Sequence, residues 1–123
     1  NANIYVTGYI YGSGFGKDSI FLTKYDSSGN IQWTKQRESS SGDYGSGVAA
    51  DGNGNFYVTG RISTNATFSS DYYFDIFLTK YDSSGNKQWT EQWGTSSGDE
   101  GKGVAVDGSG NIYVTGSTGE GLD

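Results

Sequence analysis

Two five-residue stretches, Asp51-Gly52-Asn53-Gly54-Asn55 and Asp107-Gly108-Ser109-Gly110-Asn111, carry oxygen-bearing side chains at alternate positions, the spacing with which calcium loops surround a cation. Asp51, Asn53, Asn55, Asp107, Ser109 and Asn111 are therefore candidate metal ligands. The same residues also describe a tight turn, in which Asp and Asn bond their own backbone and glycine takes positive φ. No bidentate Glu closes either stretch at the distance an EF-hand uses, so the turn reading is preferred, with calcium as the alternative and no other cofactor expected. The turns at Asp26 and Asp82 have the same form with less room for an ion.

Asp43, Asp99 and Glu100 follow Gly42 or Gly98 in polar connections. Repeated around a ring, such connections would set carboxylates at the mouth of a central channel, able to hold a cation or a polar ligand. The alternative is that each Gly-Asp caps a turn. Trp33, Trp89, Trp93 and ten Tyr could form a sugar-stacking platform, although most stand at alternating strand positions where packing is the simpler role. Trp93 is the exception, because its counterpart in the other copy is Arg37. Phe68, Tyr72, Tyr73 and Phe74 lie in a long stretch, Arg61 to Asp75, read as a loop and as the best place for contact with a protein or glycan partner. Asn65-Ala66-Thr67 fits a glycosylation sequon, which a bacterial origin would make incidental.

Without His or Cys, the commonest neutral-pH base, zinc ligands and thiolates are missing, and no carboxylate pair stands out, so an enzyme is not expected. A net charge of −6 argues against nucleic acid and anionic membrane surfaces as partners. No apolar run approaches the ~20 residues a membrane-inserted helix needs. A hydrophobic fraction of 33% with 21 Gly would suit a disordered chain, but 15% aromatic residues and regular β-branched alternation supply what disordered chains lack. The class expected is all-β.

The elements that must position these residues come in copies. Phe-Leu-Thr-Lys-Tyr-Asp-Ser-Ser-Gly-Asn runs from Phe21 to Asn30 and again from Phe77 to Asn86, and residues 20 to 60 differ from 76 to 116 at ten positions of 41. Asn3 to Gly8, Asn55 to Gly60 and Asn111 to Gly116 are copies of one strand, and the spacing between the first two is 52 against 56 for the others. Ile31/Lys87, Lys35/Glu91, Tyr44/Glu100 and Ser46/Lys102 change polarity and are expected at solvent. Tyr57/Tyr113, Val58/Val114 and Trp33/Trp89 are retained and expected in packing. A period of four short strands, small-residue strand first and Trp strand last, fits a β-propeller blade, whose innermost strand has least room.

Gly103-Val104-Ala105-Val106-Asp107-Gly108-Ser109-Gly110-Asn111-Ile112-Tyr113-Val114-Thr115-Gly116, with Asp75 to Asp82 and Trp89, resembles the SBBP-type bacterial β-propeller repeat. That resemblance implies four-stranded antiparallel blades, a secreted or cell-envelope (periplasmic) bacterial location, and no shared catalytic activity or site. The chain then supplies about two blades: residues 1–44 a partial blade lacking its inner strand, 45–94 a complete blade, and 95–123 inner strands only. A closed propeller needs about four to eight blades. Several copies are therefore expected to assemble by blade completion, three giving six blades or four giving eight; a piece of a longer propeller is the competing explanation. Function is expected to be that of a non-catalytic interaction scaffold, with a purely structural module, or a carbohydrate- or calcium-binding propeller, as alternatives.

Overall fold

The structure, a computed structural model, describes residues 3–10, 19–38, 43–64 and 73–121. Nine strands occur among them and no helix, so none is long and apolar enough to cross a membrane. They form three antiparallel sheets: β1 (Ile4–Ile10), β2 (Ser19–Tyr25) and β3 (Ile31–Glu38); then β4 (Tyr44–Ala50), β5 (Phe56–Thr64), β6 (Tyr73–Tyr81) and β7 (Lys87–Trp93); then β8 (Glu100–Val106) and β9 (Ile112–Ser117). Each sheet is a meander with strands in chain order, the organisation of propeller blades.

The repeated Val-Thr-Gly explains itself in β1 and β5. Thr59 Oγ1 donates to the Phe77 carbonyl at 2.7 Å, and Thr7 does the same to Phe21 at 2.9 Å. The following glycine leaves room for the Phe77 or Phe21 ring to lie over the backbone. One strand further out, Thr23 shares a hydrogen bond with Thr34 at 3.2 Å and Thr79 with Thr90 at 2.9 Å, pairs that pin the register of β2 on β3 and of β6 on β7.

The sheets stack face to face. Tyr5, Ile20, Leu22 and Trp33 of the first sheet meet Phe56, Val58, Phe77 and Tyr81 of the second. Phe56, fully buried, stacks on Tyr5 at 4.9 Å and on Tyr81 at 5.2 Å, with the Trp33 ring at 5.5 Å. On the other side of the middle sheet Tyr57, Thr59, Ile76 and Leu78 are buried, and Gly101 of β8 packs on Thr59 and Ile76. Close approach dictates the small residues of the inner strands: a methyl group at Gly47 would press on the backbone of Gly103.

Three expectations need correcting. In the stretch from Arg61 to Asp75 the described residues, 61–64 and 73–75, are strand rather than loop, because β5 and β6 stay paired through Ile62↔Asp75, Ser63↔Phe74 and Thr64↔Tyr73. The opening strand likewise continues to Ile10, paired with Ser19. Tyr44 and Glu100 are half-buried rather than at solvent, since each begins an inner strand already paired at that residue. Of the retained positions, Tyr57 and Val58 are buried and the two Trp half-buried, but Tyr113 is 58% exposed because among the described residues no sheet covers its side of β8 and β9.

Candidate functional site

The Asp-x-x-Gly-Asn turns are built alike. In the β8–β9 turn, Asp107 Oδ1 accepts the Ser109 and Asn111 amides at 2.9 Å, while Oδ2 accepts the Asn111 side-chain amide at 2.9 Å and the Tyr113 hydroxyl at 3.0 Å. Asp51 binds the amides of Asn53 and Asn55 and the Asn55 side chain in the same way. Gly29, Gly54, Gly85 and Gly110 hold φ between 84° and 86°, the left-handed conformation that this turn imposes on its fourth residue. Both oxygens of each aspartate are thus engaged by the turn itself. Asp51, Asn53, Asp107 and Ser109 do line one shallow cleft of about 330 Å³, with Asn55 and Asn111 behind them as partners of the aspartates. Among the described residues no three acidic side chains converge to hold a metal ion.

These hydrogen bonds favour the charged carboxylate. The Asn111 side chain, with the Asn111 backbone next, holds the Asp107 pKa at about 2 rather than 3.8. A group depressed on folding stabilises the fold above its unfolded value and loses that contribution as pH falls toward the folded one. The window here is from near 3.8 down to about 2. Asp107→Asn is expected to remove roughly 0.8 of a proton from the uptake on unfolding at pH 3. Melting temperatures of both proteins from pH 5 to pH 2 check this, the variant showing the shallower acid slope.

At the opposite end of the strands, Asp43 and Asp99 are almost fully buried, at 4% and 1% exposure. The Asp43 carboxylate accepts the Ser63 amide at 2.7 Å. The Asp99 carboxylate accepts the Thr95 amide at 2.6 Å, the Thr95 hydroxyl at 3.0 Å and the Gly119 amide at 3.2 Å, while its own N–H donates to the Phe74 carbonyl at 2.8 Å. Asp99 therefore closes a turn with Thr95, and each aspartate ties the start of an inner strand to the far end of the strand pair it opens. Glu100 faces Lys102 at 3.7 Å, a partly exposed ion pair worth little. Trp93 is half-buried at the end of β7, opposite Ile76.

Phe74 belongs to a stack that sequence reasoning did not assemble. The Arg61 guanidinium lies between the Tyr44 and Phe74 rings, at 4.0 and 4.1 Å, and Tyr44 meets the half-exposed ring of Tyr9 edge-on at 4.2 Å. Four strands contribute one residue each. A signal existed: Tyr44 becomes Glu100, and Arg61 becomes Ser117, at equivalent positions of the next copy, so contacting residues change together. Tyr73 is in β6, and Phe68, Tyr72 and the Asn65 sequon lie outside the described residues.

A family model for the SBBP β-propeller repeat matches residues 32–66 and 88–123. The chain belongs to that family. Each matched SBBP segment runs from an outer strand, β3 or β7, into the first two strands of the next sheet, so the repeat unit straddles adjacent blades. Two curated relatives share the pattern. An uncharacterized WD repeat-containing protein of Acanthamoeba polyphaga mimivirus is 31% identical over 119 residues, taking in 82% of this chain and 9% of its own length. The regulatory protein FlaEY of Caulobacter vibrioides is 29% identical over 112 residues, 82% of this chain and 12% of its own. The SBBP chain thus spans about a tenth of the length of the curated relatives it matches.

Proposed function

We propose that this SBBP chain is a non-catalytic interaction scaffold whose blades work within a larger ring, closed by further blades of the same repeat, supplied by other copies of the chain or by several further repeats. One observation carries this reading: the same repeat position is sealed where a neighbouring sheet exists and open where, among the described residues, none does. Phe56 is 0% exposed and its equivalent Ile4 48%; Tyr57 is 4% exposed and its equivalent Tyr113 58%. Val6 and Ile31 extend the open face of the first sheet, and Gly103, Ala105 and Thr115 flank Tyr113 on that of the third. These two faces have the chemistry of the two sides of each internal contact, so a face like Ile4-Val6-Ile31 suits a face like that of Tyr113.

The relatives' names, one a WD repeat-containing protein and one a regulatory protein, favour contact with partners over turnover of a substrate. A secreted or envelope-associated location belongs to the same proposal; it rests on the family resemblance and is tested by fractionating the producing cells. The Tyr9-Tyr44-Arg61-Phe74 stack, at the end of the strands where connections vary, is the surface proposed to meet a protein or glycan.

Light scattering on the purified chain tests the assembly. A mass of three or four copies supports it, and Ile31→Asp, on the open face, is then expected to shift the mass to one copy. A folded single copy of the unaltered chain at micromolar concentration overturns closure by association.

A further inference from the structure

Between the outer strands of the first and second sheets lies a cleft of about 230 Å³. Its floor is apolar, made by Ile20, Leu22, Val58 and the body of Tyr81. Lys35, Arg37 and Lys87 line it as well, three of the eight Lys and Arg in a chain of net charge −6. Such crowding of like charge is unfavourable unless something negative offsets it. Among the described residues the one ion pair is Lys102 with Glu100, which lies elsewhere.

Arg37 gives the sharper sign. Its Nη1 is buried and has no hydrogen-bond partner among the described residues. A buried donor left without an acceptor costs about 1–3 kcal/mol, more when charged, and structures retain few of them. Its charge also reaches Tyr81, where it works against the burial that raises the phenol's pKa. The repeat supplies an independent comparison. Ile20, Leu22 and Val58 recur unchanged as Ile76, Leu78 and Val114, whereas Lys35, Arg37 and Lys87 stand where the other copy has Glu91, Trp93 and Ile31. Blade packing sets the shape of the cleft and recurs; its charge is particular to this place and is not required by packing.

We infer that this cleft binds a small organic carboxylate with an apolar body, its carboxylate held by Arg37 with Lys35 and Lys87 beside it, and its body on Ile20, Leu22, Val58 and Tyr81. The guanidinium offers paired N–H donors in the geometry a carboxylate accepts. A cavity of about 150 Å³ takes a benzene molecule, so this one has room for a ring bearing a carboxylate. A bare inorganic anion would leave the apolar floor unoccupied, and a neutral aromatic would leave Arg37 unpaired.

Calorimetric titration of the full chain with benzoate, benzyl alcohol and inorganic phosphate at low ionic strength tests the assignment. Benzoate is expected to bind about tenfold or more tightly than either of the others, and Arg37→Gln to weaken it by about tenfold or more. Lys102→Gln, outside the cleft, leaves affinity unchanged. Amide shifts on adding benzoate are expected at Ile20, Leu22, Lys35 and Val58, a readout that stands even where Arg37→Gln disturbs the fold. Lys87→Gln, at an exposed position, offers a second variant, expected to weaken benzoate about threefold. No benzoate binding, equal binding of benzyl alcohol, phosphate binding as tight as benzoate, or shifts confined to other surfaces each overturns it.

Discussion

Phe56→Ala is expected to lower the unfolding free energy by about 4 kcal/mol, measured by urea denaturation. Phe56 is fully buried and joins two sheets: it stacks on Tyr5 from the first and Tyr81 from the second, with Trp33 at its edge. Truncation loses the transfer energy of the ring and leaves a void bounded by three other aromatic rings, too stiff to collapse into it. The equivalent Ile4 is 48% exposed, and Ile4→Ala is expected to cost under about 1 kcal/mol in the unassociated chain. A loss below about 2 kcal/mol at Phe56 would show that the sheets hold together by something other than this aromatic contact. Many domains have only about 5–15 kcal/mol in total, so the expected loss is a large share of what keeps the sheets docked.

The second large effect comes from adding one carbon. Gly60→Ala would place a methyl group on the Tyr44 carbonyl, where the register of β4 on β5 shifts between Gly45 and Gly47. Neither the backbone of the inner strand nor the Phe77 ring over Gly60 has space to retreat, and the cost is expected to be about 3 kcal/mol or more. Gly8 occupies the same place in Val-Thr-Gly, but the nearest atoms a methyl group there would meet belong to the edge of the Phe21 ring, which can turn aside. Gly8→Ala is expected to cost about 1 kcal/mol. Thermal melts of the two variants side by side check the difference; equal losses would show that the clash with the inner strand is relieved by a register change.

How far the sequence reveals this molecule depends on whether the deciding contacts are local. The turns are legible because Asp, Gly and Asn act within five residues, and Asp107 with Asn111 does what the spacing suggests. The strands β1, β5 and β9 are legible because Tyr-Val-Thr alternates in each. The ends of β5 and β6 were hidden, since Ser63 and Thr64 look like loop residues until Phe74 and Tyr73 are set opposite them. Propensity alone does not fix a strand end when pairing continues. The Arg61 stack was hidden for a related reason: Tyr9, Tyr44, Arg61 and Phe74 come from four strands, so no window of sequence contains the contact. The local bond of Asp99 to Thr95 lies within reach of sequence reasoning, but Ser63, which binds Asp43, and Gly119, which binds Asp99, lie 20 residues away.

The identity of Ile20 to Asn30 with Ile76 to Asn86 has a consequence for how the chain reaches its fold. β1 pairs with β2 and β5 with β6 through ladders of closely similar residues, so β5 can recruit β2 and form a wrong but nearly equal sheet. What separates the two outcomes is chiefly chain distance: β6 follows β5 after eight residues, while β2 precedes it by thirty. Closing the shorter loop is faster and entropically cheaper, which steers each strand to its own neighbour. The substitutions that distinguish the copies, Lys35 for Glu91 and Arg37 for Trp93, fall on the last strand of each hairpin. They act late, by penalising a hairpin that has docked in its twin's place.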